Sequence, residues 1–140
     1  MSKIAVVYWS GTGNTEEMAN AVAQGAREAG AEADVIFAAN FKPEDMGQYA
    51  AIAFGCPSMG TEQLEDTEFE PVFNACKGKL SGKKIALFGS YGWGDGEWMR
   101  TWEADCKDAG AYLACESVIC CEAPDDEAKS NCAALGKALA

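Results

Sequence analysis

A series of short apolar runs, each followed by a stretch with helical spacing, governs what this chain can fold into. The first run, KIAVVYW at residues 3–9, is apolar almost without a break and rich in β-branched and aromatic residues, as a parallel strand covered on both faces is. NTEEMANAVAQGAREAG at 14–30 then places Met18, Ala21, Val22, Ala26 and Ala29 at spacings of three and four, which predicts a helix stopping at Gly30. AEADVIFAA (31–39) reads as a second, shorter strand, KPEDMGQY (42–49) as a turn or one-turn helix, and AAIAFGCP (50–57) as a third strand ended by Pro57. EFEPVFNACKGKL (68–80) follows as a helix with Pro71 in or near its first turn, then KKIALFGS (83–90) as a strand. EWMRTWEADCKDAG (97–110) is a helix, AYLACESVICCE (111–122) contains the fifth strand, and PDDEAKSNCAALGKAL (124–139) is the last helix.

Regular alternation of strand and helix argues for an open parallel sheet with helices on both faces, a three-layer α/β sandwich. No repeat, low-complexity tract or linker divides the 140 residues, so one domain over 1–140 is expected. No apolar run approaches the roughly 20 residues that cross a bilayer, and MSKIAVVYW has neither the h-region nor the cleavage site of an export signal. A soluble, cytoplasmic protein is expected. Its 11 basic residues against 22 acidic ones give a net charge of -11, which repels nucleic acid and anionic membrane and favours partners with basic faces. The seven cysteines form no C-x-x-C pair and the chain has no histidine, which argues against a zinc site and for reduced, mostly buried thiols.

Ligands of such sheets bind outside the carboxyl ends of the strands, where strand order reverses. Unusual loops stand at three strand ends here. WSGTGNT (9–15) offers side-chain donors from Ser10, Thr12, Asn14 and Thr15, while Gly11 and Gly13 free the backbone to turn its N–H groups toward one point at a helix start. That cradle holds a phosphate by amides and helix dipole without a basic residue. An ordinary glycine turn with a helix cap reads the same way on this loop alone. The lysine that nucleotide hydrolysis uses in G-x-x-x-x-G-K-[ST] is absent, and so is G-x-G-x-x-G. The second loop, GCPSMGTEQLED, places Met59 and Gly60 at a tight turn before Thr61 and Glu62; the third, GSYGWGDGEW, carries Tyr91 and Trp93 among glycines. A monophosphate at one end and a flat aromatic between Met59 and Trp93 at the other describe flavin mononucleotide (FMN), though the spacing leaves other mononucleotides open.

WSGTGNTE, the GCPSMG stretch with Glu62, and above all LFGSYGWGDGEWM resemble the short-chain flavodoxins of anaerobic, clostridial-type bacteria, and the likeness runs nearly end to end. The resemblance implies a five-stranded parallel sheet of order 2-1-3-4-5, for which flavodoxin is itself the standard example. It implies a phosphate held by Ser10, Thr12, Asn14 and Thr15 with the amides of the Gly11 and Gly13 loop. Pro57, Ser58, Ser90, Tyr91, Gly92 and Gly94 line the site in this reading. Met59 covers the inner ring face, Trp93 the outer, and Glu62 accepts from flavin N3. The turn bearing Gly60 flips on reduction so that its carbonyl meets the protonated N5, which stabilises the neutral semiquinone. The implied function is a low-potential one-electron carrier cycling between semiquinone and hydroquinone. The resemblance implies an electron-transfer protein and not an enzyme, one that docks transiently, as a monomer, on basic-faced reductases and oxidoreductases.

Glu62, Glu65, Asp66, Glu68, Glu70, Asp95 and Glu97 surround two of the loops and are the expected acidic docking face. The competing reading is an NAD(P)H:quinone reductase-like FMN enzyme of the same fold, which needs a nicotinamide pocket that no insertion here supplies. A receiver domain needs an acidic pair where Tyr8, Trp9 and Ser10 stand, and a small phosphatase needs C-x₅-R where Cys56 leads to Glu62.

The sequence departs from the family after the turn glycine, where relatives carry Asp or Ser and this chain has Thr61. The third residue of a type II turn needs φ > 0, which is costly for a β-branched side chain, whereas in type II′ the glycine takes that conformation. Thr61 is therefore expected to favour the form found with reduced flavin, stabilising the semiquinone by up to about 1 kcal/mol. A Thr61→Gly variant that populates the semiquinone equally or more would contradict this. Pro57 stands where relatives are often polar, and Cys120 with Cys121 lies in the last strand-end loop, read as two ordinary, alternately facing thiols with no basic neighbour to activate them.

Overall fold

The computed structural model describes residues 3–59, 63–92 and 94–140. Its strands are β1 (Lys3–Tyr8), β2 (Glu32–Phe37), β3 (Ala51–Gly55), β4 (Lys84–Tyr91), β5 (Tyr112–Leu113) and β6 (Val118–Cys121). The helices are α1 (Asn14–Glu28), α2 (Phe69–Lys77), α3 (Glu97–Asp108) and α4 (Asp126–Leu139), with 3-10 turns at Ala38–Asn40 and Pro43–Gln48. All pairings within the sheet are parallel, in the order β2-β1-β3-β4-β5. The chain leaves β1 toward one edge and returns to its other side at β3, so the order reverses between these two strands.

The apolar runs behave as two-sided strands must. Ile4, Val6 and Tyr8 of β1 enter the core under α1 and α4, while Ala5 and Val7 enter the core under α2 and α3. The second layer is aromatic, with Phe54 edge-on to Phe73 at 5.4 Å and Phe69 edge-on to Trp102 at 5.4 Å. The α1/α4 layer is built from small residues. A Cβ added at Gly25 would lie 2.0 Å from the carbonyl oxygen of Ala133, and one at Gly136 would lie 2.0 Å from that of Val22. The two helix backbones therefore touch, and Gly25→Ala is expected to lower stability by about 2 kcal/mol, since overpacking at a closed contact forces backbone shifts. Urea unfolding at fixed cofactor occupancy checks this, and an unchanged midpoint would contradict it.

Three details differ from the sequence reading. The buried face of α1 takes in Ala19, Ala23 and Gly25 beside Met18, Val22 and Ala26, because α4 lies against a second stripe; Ala21 is half-buried, and Ala29 is exposed at the helix end. The second strand stops at Phe37 and turns into a 3-10 segment. The fifth strand position is filled by β5 and β6 in succession, both on β4. Between them the chain leaves the ladder, and Ser117 Oγ donates to Glu103 Oε2 on α3 at 2.7 Å.

All the cysteines are free thiols. Burial pushes Cys76 up to about 11 and Cys106 and Cys132 up to about 12. Cys120 is half-buried and raised to about 11, while Cys121 is exposed, so the pair does face alternately along β6.

Candidate functional site

Loops leaving β1, β3, β4 and β6 converge at the reversal point around a cavity of about 590 Å³, within the size range of small-molecule sites. From the first loop, Trp9, Gly11, Thr12 and Asn14 line it. Trp9 N–H donates to the Gly55 carbonyl at 3.0 Å, prolonging the β1–β3 ladder, and the chain then turns sharply. Ser10 Oγ accepts from Gly13 N–H at 3.0 Å, which closes the turn and leaves the hydroxyl hydrogen free to donate elsewhere. Gly13 has φ 97°, a left-handed conformation that favours glycine, and directly precedes α1.

No side chain among the described residues caps α1. Among the described residues nothing accepts from the N–H groups of Asn14, Thr15 and Glu16, so three donors at the positive end of the helix dipole face the loop mouth. Thr15 Oγ1 and Ser90 Oγ lie 3.3 Å apart, both buried; one hydroxyl gives its hydrogen to the other, whose own stays available. No lysine or arginine lines the cavity. The arrangement suits a group with several acceptor oxygens, held by neutral donors.

The second wall is Pro57, Ser58 and Met59. Cys56 N–H donates to the Phe88 carbonyl at 3.1 Å and Ser58 N–H to the Ser90 carbonyl at 3.0 Å, so the β3–β4 ladder runs on past the strand end. Pro57, between them, contributes no donor. Met59 and Gln63 exchange both backbone hydrogen bonds at 2.8 Å as an antiparallel bridge. Met59 is 38% exposed, an apolar surface standing open at the cavity. Gly60, Thr61 and Glu62, expected at the flipping turn and the N3 contact, and Trp93, expected as the outer stacking ring, lie outside the described residues.

Ser90, Tyr91 and Gly92 form the third wall. The Tyr91 ring packs on Trp98 at 5.5 Å, and Trp98 Nε1 donates to the Cys56 carbonyl at 3.2 Å, which ties the β3 and β4 ends together. Gly94, with φ 87°, is not among the lining residues.

Two parts of the wall escaped the sequence reading. The β6 loop contributes Glu122 and Ala123; Glu122 has φ 59° and donates its N–H to the Tyr91 carbonyl at 2.7 Å. A left-handed glutamate leaves no sequence signature of the kind a glycine does. Trp9, read as the end of an apolar strand, instead folds its indole over Gly11, and its Nε1 donates to Glu68 Oε1 at 3.0 Å.

One acidic assignment is corrected. Glu65 is 5% exposed and does not belong to a docking face. Its carboxylate accepts from the N–H groups of Thr67, Glu68 and Phe69 at 2.9, 2.7 and 2.8 Å and from the Thr67 hydroxyl, capping α2 from ahead of the helix. Burial pushes its pKa up, but these hydrogen bonds outweigh it and hold the carboxyl below its ordinary value. Asp66, Glu68, Asp95 and Glu97 are exposed and Glu70 is half-buried; Asp95 pairs with Arg100 at 3.0 Å.

The family model described as Flavodoxin matches residues 6–136. The flavodoxin of Megasphaera elsdenii is 43% identical over 137 residues, covering 98% of each chain, and that of Clostridium beijerinckii is 42% identical over 135 residues, covering 96% of this chain and 97% of its own. The solution structure of two-electron reduced Megasphaera elsdenii flavodoxin superposes with a TM-score of 0.90 over 97% of each chain. A neutral anion cradle at the reversal point of an open parallel sheet defines a mononucleotide-binding protein of the doubly wound α/β class. Within that class the chain belongs to the flavodoxin family, whose members are FMN-binding electron-transfer proteins and not enzymes.

Proposed function

We propose that this flavodoxin shuttles single electrons at low potential between redox proteins on one non-covalently bound FMN. The observation that carries the reading is the α1 N-terminus: three free amides behind a left-handed Gly13, ringed by hydroxyls and lacking any cation. A terminal phosphate fits such a cradle. Ser10, Thr12, Asn14 and Thr15 hold it with the amides of the Gly11–Gly13 turn. Ser90 orients Thr15, and Pro57, Ser58, Tyr91 and Gly92 shape the wall beyond it. Met59 and Trp93 would cover the two ring faces, Glu62 would accept a hydrogen bond from the pyrimidine edge, and the Gly60 backbone would offer its carbonyl to the ring.

When bound, FMN supplies the one-electron chemistry; the chain sets its potential. A net charge of -11, with Glu122 among the residues lining the cavity, disfavours added negative charge on the ring, which lowers the potential of the second electron. The exposed carboxylates Asp66, Asp95 and Glu97 favour brief, salt-sensitive docking of basic-faced partners. A monomer acting in the cytoplasm suits this role, and among the described residues no helix is long and apolar enough to cross a membrane. The quinone-reductase alternative rests on partial matches, to NAD(P)H dehydrogenases (quinone) of Bradyrhizobium over 47% and 34% of this chain, against 98% for the Megasphaera elsdenii flavodoxin.

Titration of the apoprotein with FMN tests the reading. One equivalent is expected to bind with quenching of flavin and tryptophan fluorescence, and NAD(P)H is expected to leave the yellow protein unbleached without a partner. Failure to take up FMN, or direct reduction by NAD(P)H, would count against it.

A further inference from the structure

Trp9 lines the cavity and also reaches beyond it. Its ring lies against the phosphate loop so closely that a Cβ at Gly11 would meet it at 3.0 Å. Its Nε1 reaches across to Glu68, 59 residues on. Glu68 is held in turn, since its N–H donates to Glu65 Oε1 at 2.7 Å. Glu65 donates its own N–H to Cys56 Sγ at 3.3 Å at the end of β3 and stands two residues after Gln63, the partner of Met59. A continuous set of hydrogen bonds and ring packing therefore joins the loop that receives the phosphate to the loop that carries Met59.

We propose that Trp9 is a positioning residue that latches the phosphate loop to the β3–α2 loop, so that filling the phosphate cradle tightens the wall that receives the ring. The inference rests on the FMN reading above. Before the cradle is filled, the free amides behind Gly13 place no demand on the loop's position. A bound phosphate fixes Gly11, Gly11 fixes the indole, and the indole holds Glu68 and the segment behind Glu65. A filled cradle then favours the position of Glu68 and of the segment behind it, which is positive coupling between two parts of one ligand.

The test is a double-mutant cycle on the apoprotein, with FMN and riboflavin as probes that differ only in the phosphate. Trp9→Phe removes the donor together with the far ring edge that meets Gly11; Glu68→Ala removes the acceptor alone, at an exposed position. Each variant is expected to lower the FMN-to-riboflavin affinity ratio about fivefold, the scale of one hydrogen bond to a charged partner in an exposed setting. The double variant is expected to lower it no further. An unchanged ratio, with both flavins weakened equally, would overturn the latch, and so would a double variant losing the product of the two single effects. Should Trp9→Phe not fold, Glu68→Ala carries the same prediction alone. Wild-type protein that binds neither flavin would remove the functional reading with the latch, whereas an unchanged ratio in the variants removes only the latch.

Discussion

Glu65→Ala is expected to destabilise the protein by about 3 kcal/mol, because it orphans a set of donors for which one buried carboxylate is the shared acceptor. The N–H groups of Thr67, Glu68 and Phe69 and the Thr67 hydroxyl all point at it. Some of these regain water once α2 frays at its start, which keeps the loss below the sum of separate charged hydrogen bonds. Glu65→Gln, which keeps one acceptor oxygen but turns an amide N–H₂ toward the donors, is expected to cost about half as much. The pH dependence carries the sign of a depressed carboxyl. Its contribution is complete above the pKa of an unfolded glutamate, about 4.3, and is lost as pH falls through the lower value it has in the fold. Wild type should therefore lose this part of its stability only in acid, and Glu65→Ala should lack that component. Urea midpoints at neutral and acid pH measure both, and a variant as stable as wild type at neutral pH would contradict the assignment.

Removing the phosphate from the ligand is the second large effect. Riboflavin is expected to bind about a thousandfold more weakly than FMN, or about 4 kcal/mol, from the loss of two or three hydrogen bonds to a charged group and the helix-terminus interaction. The cradle holds no lysine or arginine, so the preference should come from fixed amides and hydroxyls and survive moderate salt far better than a lysine site would. Inorganic phosphate should compete with FMN and leave riboflavin binding undiminished. Equal affinity for the two flavins would show that the α1 terminus does not carry the site.

Both effects trace to features that differ in how visible they are in the chain. The phosphate loop is legible because its chemistry demands unusual residues: Gly13 for a left-handed backbone, and Ser10, Thr12, Asn14 and Thr15 crowded around a helix start. The strand order follows the family likeness, and the two-sided strands follow from unbroken apolar runs such as Ile4 to Tyr8. Glu65 misled because a carboxylate in an acidic stretch looks like its exposed neighbours. Only the geometry shows three amides of the following turn aimed at it. Trp9 and Glu122 were hidden for related reasons. The indole's partner is 59 residues away, and a glutamate at φ 59° is held by the Tyr91 carbonyl and not by any local preference. The fifth strand broke where Ser117 found Glu103, a long-range hydrogen bond to which local β-propensity is blind.

Anaerobic reductive titration of the FMN-loaded protein with dithionite, followed by visible spectra, separates a one-electron carrier from a two-electron flavoprotein. Two resolved one-electron steps are expected, with a long-lived blue form between the yellow and the bleached protein. Bleaching in a single two-electron step, with no blue form at any point, would contradict a one-electron carrier and favour a two-electron flavin enzyme.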